Sequence, residues 1–319
     1  MKKILANDGI SPAGKSRLEA AGYEVITEKV AQEALANAIN EQGYVAVLVR
    51  SATKVRQDVI DTCPGLKLIG RGGVGMDNID VDYARNQGLH VINTPAASSQ
   101  SVAELVMGHL FNLSRSLYDA NRQMPANGNS EFGKLKKKYA KGVELRGKKL
   151  GIVGFGRIGQ ALATYAIGIG MEVLAHDRST LESTLDLHIQ GVGTVKVPLR
   201  TASMEEVLKE SDFISLHVPA MPGGKALIGA DELALMKDGV GLINAARGGV
   251  IDEDALLEAL NSGKVAYAGL DVFVNEPTPR ADVLAHEKVS LTPHIGAATV
   301  EAQDRIGVEL ADRIIELLG

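Results

Sequence analysis

Lys149-Leu150-Gly151-Ile152-Val153-Gly154-Phe155-Gly156-Arg157-Ile158-Gly159-Gln160 is the stretch from which the rest of the chain is read. Leu150 to Val153 is a short apolar run that reads as a buried strand, and it passes straight into Gly154-x-Gly156-x-x-Gly159. Ala161, Leu162, Ala163 and Ile167 then place an apolar face at helical spacing. Strand, glycine turn and helix are the context that a dinucleotide-binding fingerprint requires. Gly154 permits the tight turn, Gly156 lets backbone approach a pyrophosphate, and Gly159 lets the helix pack closely on the strand. The helix start turns unpaired N–H groups and a partial positive charge toward the phosphates. Downstream, Glu172 to Ala175 reads as a second strand, and Asp177 follows it 18 residues after Gly159. An acid at about 20 residues accepts hydrogen bonds from the ribose hydroxyls. A carboxylate there repels a 2′-phosphate, so NAD is expected rather than NADP, with the adjacent Arg178 weighing the other way.

At 319 residues the chain is long enough for two domains, each with a full core. A hydrophobic content of 45% and a charged content of 23% are ordinary for a globular protein. The net charge of −5 argues against general affinity for nucleic acid. A single cysteine, Cys63, excludes an internal disulfide and a cysteine-cluster metal site. The histidines lack paired ligand spacing, so no metal is expected. The start of the chain is not a signal peptide and no apolar run reaches the ~18 residues of a membrane span, so a cytoplasmic location is expected.

Before the fingerprint the chain alternates. Strand-like runs fall at Lys3–Ala6, Glu24–Thr27, Val45–Val49, Leu66–Gly70 and His90–Ile92, with helical patterns between them. Ser11-Pro12 is a helix start, an N-cap with proline at the first helical position. Such alternation with short connections predicts a parallel sheet covered by helices. A helix is expected from Ser99 to Tyr118. A polar stretch from Asn121 to Gly142, carrying Lys134, Lys136, Lys137, Lys138 and Lys141, reads as a loop, either solvated or anion-binding. From Lys149 six further strands are expected, the number in a full doubly wound dinucleotide fold. The stretch Thr184–Thr201 alternates like a hairpin, and a helix from Val300 to Leu318 closes the chain, able to return to the first unit. The fold class is thus α/β, with two doubly wound parallel-sheet domains.

In such sheets ligands bind outside the carboxyl ends of the strands. Arg247 follows one expected strand within Asn244-Ala245-Ala246-Arg247-Gly248-Gly249. Glu276 follows the next and His294 the last. An arginine can grip a carboxylate in a bidentate fork and polarise a carbonyl. A histidine can exchange a proton near neutral pH, and a glutamate can orient the ring and favour its charged form. Taken singly, Arg247 also suits a loop ion pair, Glu276-Pro277 a turn, and His294 a hydrogen bond beside a helix.

Together these residues resemble the D-2-hydroxyacid dehydrogenase family over almost the whole chain. The resemblance is carried by Arg50-Ser51-x-Thr53, Arg71-x-Gly73-x-Gly75-x-Asp77-Asn78, Asn93-Thr94-Pro95, the fingerprint, His217-Val218-Pro219, Asn244-x-Ala246-Arg247, Gly269-Leu270-Asp271, Glu276-Pro277 and Thr292-Pro293-His294-Ile295-Gly296. It implies a Rossmann cofactor domain over 98–293 and a flavodoxin-like substrate domain over 1–97 and 294–319, with the active site in the cleft between them. It implies Arg247, Glu276 and His294 as the catalytic set. Its cofactor contacts fall on Gly154, Gly156, Arg157, Ile158, Gly159, Asp177, Val218, Pro219, Ala245, Ala246, Arg247, Asp271 and Gly296. Its substrate edge falls on Arg50, Ser51, Arg71, Gly72, Gly73 and Val74. It also implies a homodimer or homotetramer, with the region near residues 100–145 embracing the partner.

The N-terminal half is most similar to the phosphoglycerate dehydrogenases of this family. NAD-dependent oxidation of 3-phospho-D-glycerate to 3-phosphohydroxypyruvate, a step of serine biosynthesis, is therefore expected, with Arg50, Arg71 and the lysine run as phosphate-binding cations. The chain ends at Gly319, so serine feedback through the additional C-terminal domain of larger relatives is not expected. The alternatives are glyoxylate or hydroxypyruvate reduction, D-lactate dehydrogenation and, from another class, an NAD-sensing protein like the corepressors built on this fold.

Overall fold

The computed structural model describes residues 1–319, the side chain of Pro222 excepted. In chain order the elements are β1 (Lys2–Ala6), α1 (Pro12–Ala20), β2 (Tyr23–Ile26), α2 (Leu35–Gln42), β3 (Tyr44–Val49), α3 (Gln57–Thr62), β4 (Leu68–Arg71), α4 (Val81–Asn86) and β5 (His90–Asn93). Then come α5 (Ser99–Arg115), α6 (Leu117–Lys138), β6 (Lys149–Val153), α7 (Arg157–Gly168), β7 (Glu172–His176), β8 (Glu182–Ile189), β9 (Gly193–Arg200), α8 (Met204–Glu210) and β10 (Phe213–Leu216). The last are α9 (Ala230–Leu235), β11 (Val240–Asn244), α10 (Glu253–Ser262), β12 (Val265–Leu270), α11 (Ala281–Ala285), β13 (Val289–Leu291) and α12 (Val300–Leu318). The chain divides into two compact units, Met1–Ser101 with Ala297–Gly319, and Val102–Gly296.

The first unit holds a parallel sheet of order β2-β1-β3-β4-β5, the flavodoxin-like arrangement. The middles of its strands are apolar, as in Ile4–Ala6, Val45–Val49 and Val91–Ile92, because both faces are covered. Ile4, Ala46, Leu48, Leu68 and Ile92 enter one core with Leu18, Ile306, Leu310 and Ile314, so α12 packs in this unit. The intervening Leu5, Val47, Val49, Ile69 and Val91 enter the opposite core with Leu35, Ile39 and Val59. The period of two along each strand thus becomes two packed layers. Ser11 caps α1 by accepting a hydrogen bond from the Gly14 N–H at 3.2 Å, and Pro12 begins the helix.

The second unit holds a six-stranded parallel sheet of order β13-β12-β11-β10-β6-β7. The direction of winding reverses between β6 and β10, which places the switch point at the fingerprint. The strands number the six expected, but the usual order has its third strand outside β7, whereas here β13 is added at the opposite edge. After β7 the chain leaves the sheet and forms a separate antiparallel ribbon, β8 with β9, pairing Leu185 with Val197 and Leu187 with Val195. The hairpin expected near Thr184–Thr201 is this ribbon.

The expected loop at Asn121–Gly142 is instead helical as far as Lys138. α6 runs from Leu117 to Lys138, with Pro125 inside it and Glu131 at non-helical φ −126°, ψ 22°. In a straight helix Asp119 and Lys138 would lie roughly 28 Å apart. Yet Lys138 Nζ lies 2.6 Å from an Asp119 carboxylate oxygen, and the Tyr139 hydroxyl donates to the same oxygen at 2.9 Å. The break at Glu131 therefore turns the second piece back along the first. The helix expected through Tyr118 stops at Arg115, where Ser116 takes a left-handed φ of 51°.

Candidate active site

The fingerprint turn is built from the chain's own contacts, except at one residue. A methyl group on Gly154 (φ 96°) would lie 2.4 Å from the His217 carbonyl oxygen, and one on Gly159 would lie 2.2 Å from that of Gly154. Both glycines are demanded by close packing of backbone on backbone. A methyl on Gly156 would meet no atom within 4 Å. Gly156 and Arg157 are exposed at the start of α7, with Ile158 half-buried beside them. This is an open cradle of backbone N–H groups that a side chain would fill, and it fits a dinucleotide pyrophosphate. Val218 and Pro219 lie just beyond the end of β10.

Asp177 stands at the end of β7. One carboxylate oxygen accepts from the Phe155 N–H at 2.8 Å, and the other accepts from Ser179 and from the Thr180 N–H at 2.9 Å. Burial pushes its pKa up, but the N–H groups of Ser179, Thr180 and Phe155 outweigh this and hold the carboxyl at about 2. The group is thus a fixed negative charge hydrogen-bonded to the fingerprint turn itself.

The other expected residues occupy three loops that follow β11, β12 and β13. In the first, the buried Asn244 side chain accepts from the Ala246 N–H at 3.0 Å and donates to the Arg247 carbonyl at 2.9 Å, folding Ala245–Arg247 into a tight turn. Arg247 Nη1 donates to the Ala246 carbonyl at 2.7 Å. A methyl on Gly248 would lie 1.9 Å from the Phe273 carbonyl oxygen, so the first loop rests directly on the second.

In the second loop Glu276 accepts from the Phe273 N–H at 2.9 Å through one oxygen and meets His294 Nδ1 at 2.7 Å through the other. Glu253, at the start of α10, accepts from the Val274 N–H at 2.9 Å. Asp271 is 1% exposed, and its oxygens accept from the Thr292 hydroxyl at 2.7 Å and from the N–H groups of Ile295 and Gly296 at 2.9 Å each. Its carboxylate therefore acts on the third loop, gripping the turn on both sides of His294. His294 itself has φ 54°, uncommon for a side chain of this size. Its side chain remains 37% exposed, and that of Glu276 32%. With Nδ1–H facing the carboxylate, Nε2 is the nitrogen left for a reacting oxygen. Asn244, Glu253 and Thr292 hold these loops, and sequence reading assigned them no role. Asn244 was visible as a polar strand end, whereas Glu253 looks like any acidic first-turn residue.

The first unit places its expected residues at the ends of β3 and β4. Asp8 accepts from the N–H groups of Arg50 at 2.7 Å and Thr53 at 3.0 Å, and Asn78 donates to the carbonyls of the same two residues at 2.7 and 2.5 Å. The loop is clamped at both ends, with Ser51 exposed at its tip. A cavity of about 420 Å³ lies against it, lined by Asp8, Lys29, Arg50 and Ser51 among others. The N–H groups of Gly72 and Gly73 donate to the Val49 carbonyl at 2.9 Å and to Thr94 Oγ1 at 2.8 Å, so both are already engaged within this unit. Arg71 folds back over Gly73, and its Nη1 lies 3.4 Å from the Gly72 carbonyl. Val74 is exposed, and its carbonyl accepts from Asn93 at 2.7 Å. The expected lysines lie in the second unit at the end of α6, where Lys134 pairs with Glu131 at 2.8 Å and Lys138 with Asp119.

The doubly wound sheet, its fingerprint turn and the Asp177 carboxylate beside it make the second unit a dinucleotide-binding fold. The family described as D-isomer specific 2-hydroxyacid dehydrogenase, NAD binding domain, matches residues 107–296. A hydroxypyruvate reductase of Thermotoga maritima is 44% identical over 93% of this chain and 91% of its own length. A D-3-phosphoglycerate dehydrogenase of Methanocaldococcus jannaschii is 40% identical over 100% of this chain, which spans 58% of that relative. A crystal structure of a glyoxylate reductase from Paecilomyes thermophila superposes with a TM-score of 0.82 at 29% identity, covering 99% of this chain and 96% of that one. The chain belongs to the D-isomer specific 2-hydroxyacid dehydrogenases. It is an NAD-dependent oxidoreductase acting on the CH–OH group of a small 2-hydroxyacid.

Proposed function

We propose that the chain interconverts D-glycerate and hydroxypyruvate, with Arg247, Glu276 and His294 as its catalytic set. The observation that carries the chemistry is the 2.7 Å contact between His294 Nδ1 and Glu276. NAD supplies the hydride acceptor, or as NADH the donor. In the oxidative direction His294 Nε2 takes the hydroxyl proton, and Glu276 stabilises the imidazolium that forms. In reduction the same nitrogen returns the proton to the carbonyl oxygen. Arg247 holds the substrate carboxylate and polarises the reacting carbonyl. Gly156, Arg157 and Ile158 receive the pyrophosphate on the turn that Gly154 and Gly159 shape, Asp177 receives the ribose, and Val218, Pro219, Ala245, Ala246 and Gly296 line the remainder of the cofactor. Hydroxypyruvate is preferred because the relative of nearly equal length is named for it.

A second substrate, 3-phospho-D-glycerate, is favoured by Arg50 and Arg71 at the ends of neighbouring strands and by the phosphoglycerate dehydrogenase relatives. That reading would place the chain in serine biosynthesis. The test is a panel of hydroxypyruvate, glyoxylate, pyruvate and 3-phosphohydroxypyruvate with NADH, run on the parent, Arg247→Ala and His294→Ala proteins. We expect hydroxypyruvate to have the highest kcat/KM and each variant to lose about a hundredfold or more. A preference for the phosphorylated acid would replace the substrate assignment. Full activity in either variant would remove the catalytic one. Tight NADH binding with no turnover would favour the NAD-sensing role.

A homodimer formed through α5 and α6 is also proposed. Phe111, Leu117, Met124, Phe132 and Val143 expose apolar surface in and just beyond these helices, with Phe132 at 60%. Light scattering should give twice the chain mass, and Phe132→Asp should shift it toward the monomer.

A further inference from the structure

His109, on α5, is 1% exposed and takes no part in the chemistry proposed above. Its ring meets two hydroxyls at the end of the sheet: Ser290 Oγ is 3.2 Å from Nδ1, and Thr292 Oγ1 is 3.1 Å from Nε2. Hydrogen-bond inventory fixes the direction of these contacts. Thr292 has one hydroxyl proton, and it goes to Asp271, whose oxygens accept from Thr292, Ile295 and Gly296. Thr292 Oγ1 must then accept from His109, so the ring proton sits on Nε2, and Nδ1 accepts from Ser290. Burial pushes the His109 pKa down against the pull of Asp271, so the ring stays neutral as this pattern needs.

The result is a one-way chain of hydrogen bonds from Ser290 through His109 and Thr292 to Asp271. It ends on residues that bracket His294, with Thr292 before it and Ile295 and Gly296 after it. A left-handed, non-glycine turn persists only where its surroundings hold it. Space for the ring is provided by β12, where a methyl on Gly269 would lie 3.0 Å from the Cβ, Cγ and Nδ1 atoms of His109.

We propose that His109 is a positioning residue, which acts through Thr292 and Asp271 to hold the His294 turn with its imidazole set against Glu276. The proposal rests on the reading of His294 as the proton-exchanging group. A buried imidazole linking two hydroxyls behind a catalytic turn determines where Nε2 points, so its loss should appear in the chemical step and not in cofactor or substrate binding.

The test compares the full-length parent, His109→Leu, His109→Gln, Thr292→Val and His294→Ala proteins, using NADH and whichever acid of the panel the parent reduces fastest. We expect His109→Leu and Thr292→Val each to lose about tenfold or more in kcat, with KM for NADH and for the acid within about threefold of the parent. His109→Gln keeps an amide N–H for Thr292 and a carbonyl for Ser290, and should recover most of the loss. Thr292→Val conserves shape and removes only the hydroxyl, which keeps the question answerable if His109→Leu does not fold. A parent-like kcat in His109→Leu or Thr292→Val beside an inactive His294→Ala would overturn this inference alone. So would a loss expressed in KM, or one that glutamine does not recover. A fully active His294→Ala would overturn the catalytic assignment and this inference with it.

Discussion

A methyl group on Gly159 would lie 2.2 Å from the Gly154 carbonyl oxygen, whereas one on Gly156 would touch nothing within 4 Å. The two glycines share one motif but answer to different constraints, and substitution separates them. Gly159→Ala should destabilise the protein by about 1–3 kcal/mol, because backbone must shift to admit the methyl. Gly156→Ala, at an ordinary φ of −76°, should fold with a parent-like Tm yet bind NADH about tenfold or more weakly. Thermal denaturation and a fluorescence titration with NADH check the pair. Normal NADH affinity in Gly156→Ala would mean that the pyrophosphate does not lie over this turn.

His217 supplies a pH-dependent term at the same scale. The residue is only partly covered, but its Nδ1 is cut off from water without a partner, while Nε2 lies 2.9 Å from Ser215 Oγ. Burial lowers its pKa to about 4. The unfolded chain, with a pKa near 6.5, therefore binds the proton more readily between pH 6.5 and 4, and stability falls as pH falls through that window. The loss should reach roughly 2 kcal/mol at pH 4, allowing for the part of the ring that water reaches. Asp177 has the opposite protonation chemistry but adds to the trend lower down: its contribution is full above the unfolded carboxyl value and is lost as pH falls toward about 2. Tm measured from pH 7 to 4 should therefore decline, and the decline should be shallower in His217→Gln. Equal slopes would show that His217 is not held neutral by the fold.

At the scale of elements, what could be read in the sequence depended on whether the reason for an element was local. The central strands are legible because burial on both faces makes them near-continuous apolar runs, and Lys149–Val153 and Phe213–Leu216 fall where expected. α6 was not legible. Pro125, Gly128, Gly133 and several asparagines speak against a helix, and what holds this one lies far along the chain, where Asp119 receives Lys138 and Tyr139. The candidate site divides in the same way. Arg247, Glu276 and His294 could be found because they are reactive types at successive strand ends. Their braces could not. That Asp271, expected at the cofactor, grips a turn more than 20 residues away, or that His109 reaches Thr292 across 183 residues, leaves no pattern in the sequence.

At the scale of the whole molecule, the first unit is made from both parts of the chain, Met1–Ser101 and Ala297–Gly319. Its closure depends on α12 lying against α1. Buried Ile306, Leu310, Ala311, Ile314 and Leu318 seal one face of the sheet, and Arg17 pairs with Asp312 beside them. The two helices meet at glycines: a methyl on Gly14 would lie 2.5 Å from the Gly307 carbonyl carbon and oxygen. Helix propensity alone says that Gly14→Ala should stabilise α1 by about 1 kcal/mol. The packing says the reverse, because the atoms in the way are backbone and cannot rotate aside. We expect Gly14→Ala to destabilise the protein by about 1–3 kcal/mol, whereas Gly22→Ala, strained by a φ of 89° but with no atom within 4 Å, should show backbone strain alone. Denaturant melts of the two variants decide the matter. If Gly14→Ala is as stable as the parent or more so, α1 and α12 do not approach this closely, and the first unit is not closed from both ends of the chain in the way described.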